Sequence, residues 1–380
     1  MVINRKIPAL QDKGAGERQE IQMNRPDLTR LKSCMRRAEA GEELTIGFFG
    51  GSITQDSLAT KHENCYAYRV FRWWEETFPK AAFHYVNGGI GGTTSHYGVS
   101  RVVTDMLMYQ PDFVAVDFSV NDDPDEFFQE TYEGLIRKLL TWSSNPAVLL
   151  LNNVFYDTGK NAQEYHNRVG DWYHLPHVSI KDTVWLRMKA GAFIREEITP
   201  DGLHPNDKGH GLVAAEITSY LEQVKEHMWE DESEQPVPSA MTDNAYENAR
   251  RLTIRESCPK LDGFRADTEE KKGHLDRFKN GWIGKKSGDR ILFEIQASCI
   301  AVQYRKTIHH PARKAELILD GDREHSVLLD GNFDEDWGDC LYLEPMLHHG
   351  KNGRHTVEIK VLPDEYETAE PFYLMALITA

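Results

Sequence analysis

The chain has 380 residues, of which 40% are hydrophobic, 27% charged and 10% aromatic, a composition that excludes the disordered, collagen-like and membrane-embedded classes. Its 60 acidic residues against 44 Lys and Arg give a formal net charge of −16, which excludes nucleic acid as an expected partner because phosphate binding needs cations. A single core of about 150 residues is too small for this length, so two domains are expected.

Three further features bear on the cellular setting. The first twenty residues lack the apolar stretch and the cleavage site of a secretory signal, and no run reaches the length of a membrane span. The five cysteines are scattered, and none forms a C-x-x-C pair, which favours reduced thiols. We therefore expect a cytoplasmic protein without a membrane partner. The oligomeric state stays open, with a homo-oligomer as one alternative.

From residue 44 to about 230, short apolar runs alternate with segments of helical periodicity. The runs predict buried parallel strands at 44–49, 83–87, 113–118 and 147–152. The periodic segments predict helices at 68–78, 97–109 and 125–142, and a closing helix from about Lys208 to His227. This alternation predicts a three-layer α/β/α sandwich with a parallel sheet for residues 1–230, with its core at about 40–230.

An acidic, proline-containing stretch at 231–242 then predicts a linker. Beyond it, strand-like segments predict a C-terminal, jelly-roll-like β-sandwich at 243–380, an accessory domain. Asp-Gly pairs at Asp320-Gly321 and Asp330-Gly331 are turn signals between these strands.

Two motifs supply a nucleophile and a base. Ser52 follows two glycines directly after the first predicted strand, where parallel sheets present their reactive groups. Asp201 precedes His204 by three residues in a turn ahead of the closing helix, so its carboxylate can orient the imidazole. Each motif alone also fits an ordinary turn or a helix cap.

Two more motifs supply hydrogen-bond donors. Gly92 lies in a glycine-rich run after the second strand, where a backbone N–H can approach a ligand closely, and Asn121 follows the third strand with a side-chain amide. An oxyanion hole needs both kinds of donor. Either segment alone would be read as a loop.

Together, in this order, the four motifs resemble the SGNH (GDSL-like) hydrolase family over roughly residues 40–230. The resemblance implies a catalytic triad of Ser52, Asp201 and His204. It also implies an oxyanion hole formed by the Ser52 and Gly92 backbone and the Asn121 side chain.

Two positions depart from the family pattern. Gly51 replaces the usual Asp of Gly-Asp-Ser, and Ser119 replaces the glycine two places before Asn121. The variant Gly-Gly-Ser-Ile-Thr is similar to the carbohydrate acetylesterase branch. The resemblance thus implies a serine esterase that removes O-acetyl groups from mannan- or xylan-type oligosaccharides.

Two other functions stay open: a short-chain lipid-ester or thioester hydrolase, and a carbohydrate-binding protein with an inactive hydrolase scaffold. The polar residues Gln55 and Asp56 beside Ser52 favour a short acyl group and are candidates for substrate binding. Trp337, in an acidic loop, is a further candidate as a sugar-stacking platform, which makes the β-sandwich at 243–380 a candidate carbohydrate-binding domain. A tryptophan such as Trp282 is more often part of a sandwich core.

No cofactor or metal is expected for this chemistry. The acidic run that starts at Asp330 superficially resembles a calcium loop. However, Glu335 stands where such a loop needs glycine, and Leu341 stands where it needs a carboxylate.

Overall fold

The structure is a computed structural model that describes residues 26–231, 233–273, 276–363 and 368–380. We expect no secretory signal from the sequence of the first twenty residues. These residues lie outside the described part of the chain. No helix in the described part of the chain is long and apolar enough to cross a bilayer.

The amino-terminal half alternates strands and helices. Its strands are β1 Glu43–Gly50, β2 Ala82–Asn87, β3 Phe113–Asp117, β4 Ala147–Asn152 and β5 His177–Ser179. Its helices are α1 Thr29–Glu39, α2 Ser52–Gln55, α3 Tyr66–Thr77, α4 Ser95–Asp105, α5 Glu126–Leu140, α6 Gln163–Trp172, α7 Leu186–Lys189 and α8 Asp207–Glu226.

The five strands form one parallel sheet in the order β2-β1-β3-β4-β5. Successive side chains of a strand point to opposite faces, and Phe48 and Phe49 illustrate this. Phe48 joins a core with α1, α3 and α8, whereas Phe49 joins a core with α4, α5 and α6. The predicted three-layer α/β/α sandwich is therefore confirmed.

The predicted helices differ from the observed ones mainly at their ends. The helix predicted at 97–109 stops at Asp105 and is followed by a 3₁₀ turn at Leu107–Tyr109. The helix predicted to start at residue 68 starts at Tyr66, because the Cys65 sulfur accepts the Tyr68 N–H at 3.4 Å and caps the first turn.

The carboxy-terminal half consists of strands. They are β6 Arg250–Leu252, β7 Lys260–Asp262, β8 Arg265–Ala266, β9 Trp282–Gly284, β10 Arg290–Ala297, β11 Ile300–Lys306, β12 Lys314–Leu319, β13 Asp322–Asp330, β14 Cys340–Leu347, β15 Gly353–Val361 and β16 Phe372–Thr379.

These strands form two antiparallel sheets, in the orders β13-β12-β15-β10-β7 and β14-β11-β16-β9-β8, and β6 pairs with β16. Their inner faces share one apolar core, as predicted for a β-sandwich. Trp282 is 1% exposed in this core and meets Phe293 edge to face at 5.2 Å. Trp282 is thus a core residue.

Only one of the two predicted Asp-Gly signals closes a hairpin. Asp320 and Gly321 have φ values of 52° and 76° and join β12 to its neighbour β13. The turn signal Asp330-Gly331 does not close a hairpin, since β13 and β14 belong to different sheets. The loop that starts there crosses between the sheets and carries Trp337.

The segment between the two halves is held along α5. Glu133 accepts hydrogen bonds from the Met241 and Thr242 N–H groups at 2.5 and 2.8 Å, and Glu130 accepts from the Ala245 N–H at 2.9 Å. The Tyr246 ring is 2% exposed. The end of the predicted linker is therefore bound to the parallel-sheet half.

Candidate active site

The four predicted motifs meet at one edge of the parallel sheet. The strand order reverses between β1 and β3, and in parallel sheets the loops that follow such a pair of strands typically diverge and leave room for a ligand. Ser52 follows β1, and Asn121 follows β3, which pairs with β1 up to the Gly50–Asp117 register. Gly92 lies in the loop after β2, on the other side of β1.

Ser52, His204 and Asp201 form a continuous hydrogen-bonded chain. The Ser52 Oγ lies 2.8 Å from His204 Nε2, and His204 Nδ1 lies 2.7 Å from Asp201 Oδ2. Because the carboxylate accepts the proton on Nδ1, Nε2 is free to accept the serine hydroxyl proton. Ser52 is 8% exposed, whereas the side chains of His204 and Asp201 are 24% and 45% exposed, so solvent reaches the chain of contacts from the Asp201 end.

The turn that carries Asp201 is fixed by its own carboxylate. Asp201 Oδ1 accepts the N–H groups of Leu203 and His204 at 2.9 and 2.8 Å. Partial burial tends to raise the pKa of Asp201, but the hydrogen bonds from His204 and these amides hold that pKa below its ordinary value. The carboxylate therefore stays ionised beside the imidazole.

Asn121 lies against the backbone that precedes Ser52. A Cβ added to Gly51 would stand 2.2 Å from Asn121 Oδ1 and 3.0 Å from its Nδ2. Only glycine leaves room for the amide at this distance. The family's usual Asp at position 51 would therefore collide with the Asn121 side chain where it lies in this structure.

Ser119, the second departure from the family pattern, is accommodated below the site. Its hydroxyl donates to the Asn153 carbonyl at 3.0 Å and is buried. The Asn121 N–H donates to the Phe118 carbonyl at 3.0 Å, which holds the turn after β3. A serine at this position is compatible with the observed place of Asn121.

The loop after β2 lies beside Ser52. A Cβ on Gly91 would stand 3.5 Å from the Ser52 Cβ, and Gly92 has a φ of +69°, which favours glycine. Gln55 Oε1 accepts the Gly91 N–H at 2.6 Å. The loop is thus tied to α2, which begins with Ser52.

Arg101 is a supporting residue that sequence reasoning missed. Its side chain on α4 is fully buried, and it donates to the carbonyls of Gly88 at 2.7 Å and Gly50 at 3.1 Å. Gly88 begins the loop that carries Gly92, and Gly50 is the last residue of β1, two residues before Ser52. A single arginine in an amphipathic helix carries no motif, so the sequence offers no signal for this contact.

The three predicted substrate-binding residues have different surroundings. The Gln55 amide oxygen binds the Gly91 N–H, and Asp56 Oδ2 lies 3.0 Å from His62 Nδ1 near the surface. Trp337 is 51% exposed, and its ring edge lies directly over Gly92: a Cβ there would be 3.2 Å from Trp337 Cη2. The structure therefore brings Trp337 of the carboxy-terminal half to the active-site crevice.

Two residues of the calcium-like run, Asp330 and Asn332, have protein partners. Asp330 pairs with Lys314 at 2.7 Å and accepts the Asn332 amide, whose oxygen accepts the Ala312 N–H. Within the described residues, one group of side chains is close enough together to hold a metal ion, namely Glu130, His348 and His349. This group lies between α5 and the loop after β14, and it includes none of the predicted site residues.

The chain is similar to proteins of a known family and to solved structures. Residues 48–212 match the model of the GDSL-like lipase/acylhydrolase family. Two solved structures of a two-domain esterase active on acetylated mannans are 50% identical, with 94% of this chain and 96% of that chain covered. Their TM-scores are 0.90, for the protein co-crystallised with mannopentaose, and 0.92. A comparison with curated proteins gave no match. The chain belongs to the GDSL-like lipase/acylhydrolase family and is a carboxylic ester hydrolase.

Proposed function

We propose that this protein is a serine acetylesterase that removes O-acetyl groups from mannan-type oligosaccharides through an acyl-enzyme on Ser52. The observation that carries the proposal is the chain of contacts from Ser52 Oγ through His204 to Asp201, at 2.8 and 2.7 Å. The 50% identity to an esterase active on acetylated mannans supports the choice of substrate.

The first step is attack of Ser52 Oγ on the acetyl carbonyl carbon. His204 Nε2 takes the hydroxyl proton, and Asp201 stabilises the resulting imidazolium. The C–O bond to the sugar then breaks, and His204 returns the proton to the sugar oxygen. An acetyl ester remains on Ser52.

The second step uses water in place of the sugar. His204 takes a proton from the water, whose oxygen attacks the acetyl ester, and collapse of the intermediate returns the proton to Ser52 and releases acetate. In both steps the negative oxygen is stabilised by the N–H groups of Ser52 and Gly92 and by the Asn121 amide. Preorganised donors of this kind favour the transition state over the bound ester.

Trp337 is the proposed contact for the sugar. Its exposed indole stands beside Gly92, next to the position that the acetyl group would occupy during attack. A flat aromatic face packs well against the C–H groups of a pyranose ring. Gln55 and Asp56 remain proposed substrate-binding residues, and Gln55 also holds the Gly91 loop.

The proposal is tested by substrate series with the purified full-length protein. We expect acetate release from acetylated manno-oligosaccharides and weaker release from acetylated xylo-oligosaccharides. Among 4-nitrophenyl esters, kcat/KM should fall from acetate to butyrate to octanoate. Preference for octanoate would favour a lipid-ester hydrolase, and absence of hydrolysis of every ester would favour the inactive scaffold.

A further inference from the structure

The carboxy-terminal half contacts three consecutive residues of the loop after β2. The Ile90 side chain is 3% exposed and packs in a cluster with Leu341 and Tyr373. The Gly91 carbonyl accepts a hydrogen bond from Arg277 Nη1 at 3.2 Å, and Gly92 lies under Trp337. The loop that supplies a proposed oxyanion donor therefore packs against the carboxy-terminal half of the molecule.

The Arg277 contact acts on the peptide that contains the donor. The Gly91 C=O and the Gly92 N–H belong to the same planar peptide unit, so fixing the direction of the carbonyl fixes the direction of the N–H. A guanidinium is a charged donor, and such hydrogen bonds are stronger than neutral ones. It also draws electron density toward the carbonyl oxygen, which makes the N–H at the other end a better donor.

The opposite side of the loop has its own anchor. Gln55 Oε1 accepts the Gly91 N–H at 2.6 Å, whereas Arg277 binds the Gly91 carbonyl. Between these two contacts, a glycine pair would otherwise be free to rotate its peptide plane. Loss of Arg277 would leave the Gly91 N–H tied down and the Gly92 N–H free to turn away from Ser52.

The surroundings of Arg277 strengthen the contact. The side chain is partly buried, and this burial lowers the pKa of Arg277, while the neighbouring Tyr97 and Cys340 tend to raise it. An arginine stays protonated in proteins even after such a shift, so the donor keeps its charge. Partial exclusion of water makes its interaction with the carbonyl dipole stronger than at the surface.

We propose that Arg277 is a positioning residue for catalysis, which orients and polarises the Gly91–Gly92 peptide so that the Gly92 N–H meets the oxyanion. The inference rests on the proposed function, because it assigns a role to a residue that acts through the Gly92 donor. It makes the carboxy-terminal half part of the catalytic apparatus, separately from any contact that Trp337 makes with sugar.

The test compares Arg277→Met and Arg277→Lys with the wild type on 4-nitrophenyl acetate, a substrate without a sugar. Loss of one oxyanion donor costs about 100- to 1,000-fold in kcat, so a misdirected donor should cost Arg277→Met about 10- to 100-fold, with KM changed by less than about twofold. Arg277→Lys keeps a charged donor and should recover part of the lost kcat. The exposed Arg265→Met is the matched control and should behave as the wild type.

Melting temperatures separate positioning from structural support. We expect Arg277→Lys to recover part of the kcat that Arg277→Met loses and to have a melting temperature close to that of the wild type. The proposal is overturned if Arg277→Met keeps its kcat. It is also overturned if both variants show a lower kcat and a higher KM, in step with a lower melting temperature. An inactive Ser52→Ala beside a fully active Arg277→Met would overturn this role alone and leave the proposed function standing.

Discussion

Asn121 is the proposed oxyanion donor that belongs to a side chain, so it can be removed without changing the backbone. We predict that Asn121→Ala lowers kcat for 4-nitrophenyl acetate by about 100- to 1,000-fold and leaves KM nearly unchanged, because the lost hydrogen bond forms mainly in the transition state. The exposed Asn352→Ala is the control. An Asn121→Ala enzyme with wild-type kcat would contradict the assigned role.

Gly51 allows a second test at the residue scale. The Cβ of Gly51→Ala would stand 2.2 Å from Asn121 Oδ1, so the amide must move. We predict a kcat lower by about 10- to 100-fold, the size of effect that a misplacement of about 1 Å produces. Gly273→Ala, whose Cβ meets nothing within 4 Å, should leave steady-state kinetics unchanged. Equal kinetics for the two variants would show that the Gly51 contact is unimportant.

At the residue scale, the motifs predicted individual site residues, which composition alone does not identify. The order and spacing of Ser52, Asp201 and His204 were sufficient to predict three residues that are joined in space through His204, by contacts of 2.8 and 2.7 Å. Arg101 and Arg277 could not be predicted, because each acts through backbone carbonyls of distant loops. A backbone carbonyl is present at every residue, so sequence holds no pattern that marks it as a partner.

At the element scale, α4 carries a buried imidazole. His96 is 2% exposed and meets the rings of Phe127 and Tyr246 edge to face, each at 5.1 Å. Burial, aided by the nearby His348, lowers the pKa of His96 to about 3. The unfolded chain, with an ordinary value of about 6.5, therefore binds this proton more readily than the folded protein. The contribution to stability is complete above pH 6.5 and decreases as the pH falls toward 3.

This burial predicts a pH-dependent difference between the wild type and His96→Phe. One proton bound only by the unfolded state costs about 1.4 kcal/mol of unfolding free energy per pH unit. Urea unfolding at pH 7, 6 and 5 should show the wild type losing about that much more per unit than the variant below pH 6. Parallel stability curves for the two proteins would contradict the burial of a neutral His96.

Strands and helices were predictable where one face or both faces are buried. Near-continuous apolar runs identified β1, β3 and β4, whose residues are largely buried. The run at 83–87 located β2, but the prediction that this strand is buried was wrong, because β2 lies at an edge of the sheet and none of its residues is fully buried. β5 gave no comparable signal because it has only three residues. Connections were less predictable. The loop after Asp330 crosses between two sheets although its Asp-Gly pair is typical of a hairpin turn, because the partner strands are chosen by the core and not by the turn.

For the whole molecule, the position of Trp337 predicts cooperation between the two halves. We predict that Trp337→Ala lowers kcat/KM for acetylated manno-oligosaccharides by about tenfold, which corresponds to about 1.4 kcal/mol of lost packing. The effect on 4-nitrophenyl acetate should be less than about twofold. Trp229→Ala, which removes a 65% exposed indole elsewhere, is the control. Equal loss on both substrates would place the effect of Trp337 on the Gly92 loop instead of the sugar.

The two-part architecture followed from the change of hydrophobic pattern, whereas the way the parts join did not. The contacts of Ile90, Gly91 and Gly92 with the carboxy-terminal half span more than 180 residues of sequence, as the Arg277–Gly91 hydrogen bond illustrates. Such contacts depend on the final packing of two cores, which no local pattern encodes. The domain boundary at 231–242 stays a prediction.

The central claim is that Ser52 carries the acetyl group during hydrolysis of an acetylated manno-oligosaccharide. The most direct measurement is acetate release from that substrate by the wild type and by Ser52→Ala, with melting temperatures to establish that both are folded. The account predicts rapid release by the wild type and release by Ser52→Ala at the rate of the enzyme-free control. A folded Ser52→Ala that releases acetate at a rate comparable to the wild type would contradict it.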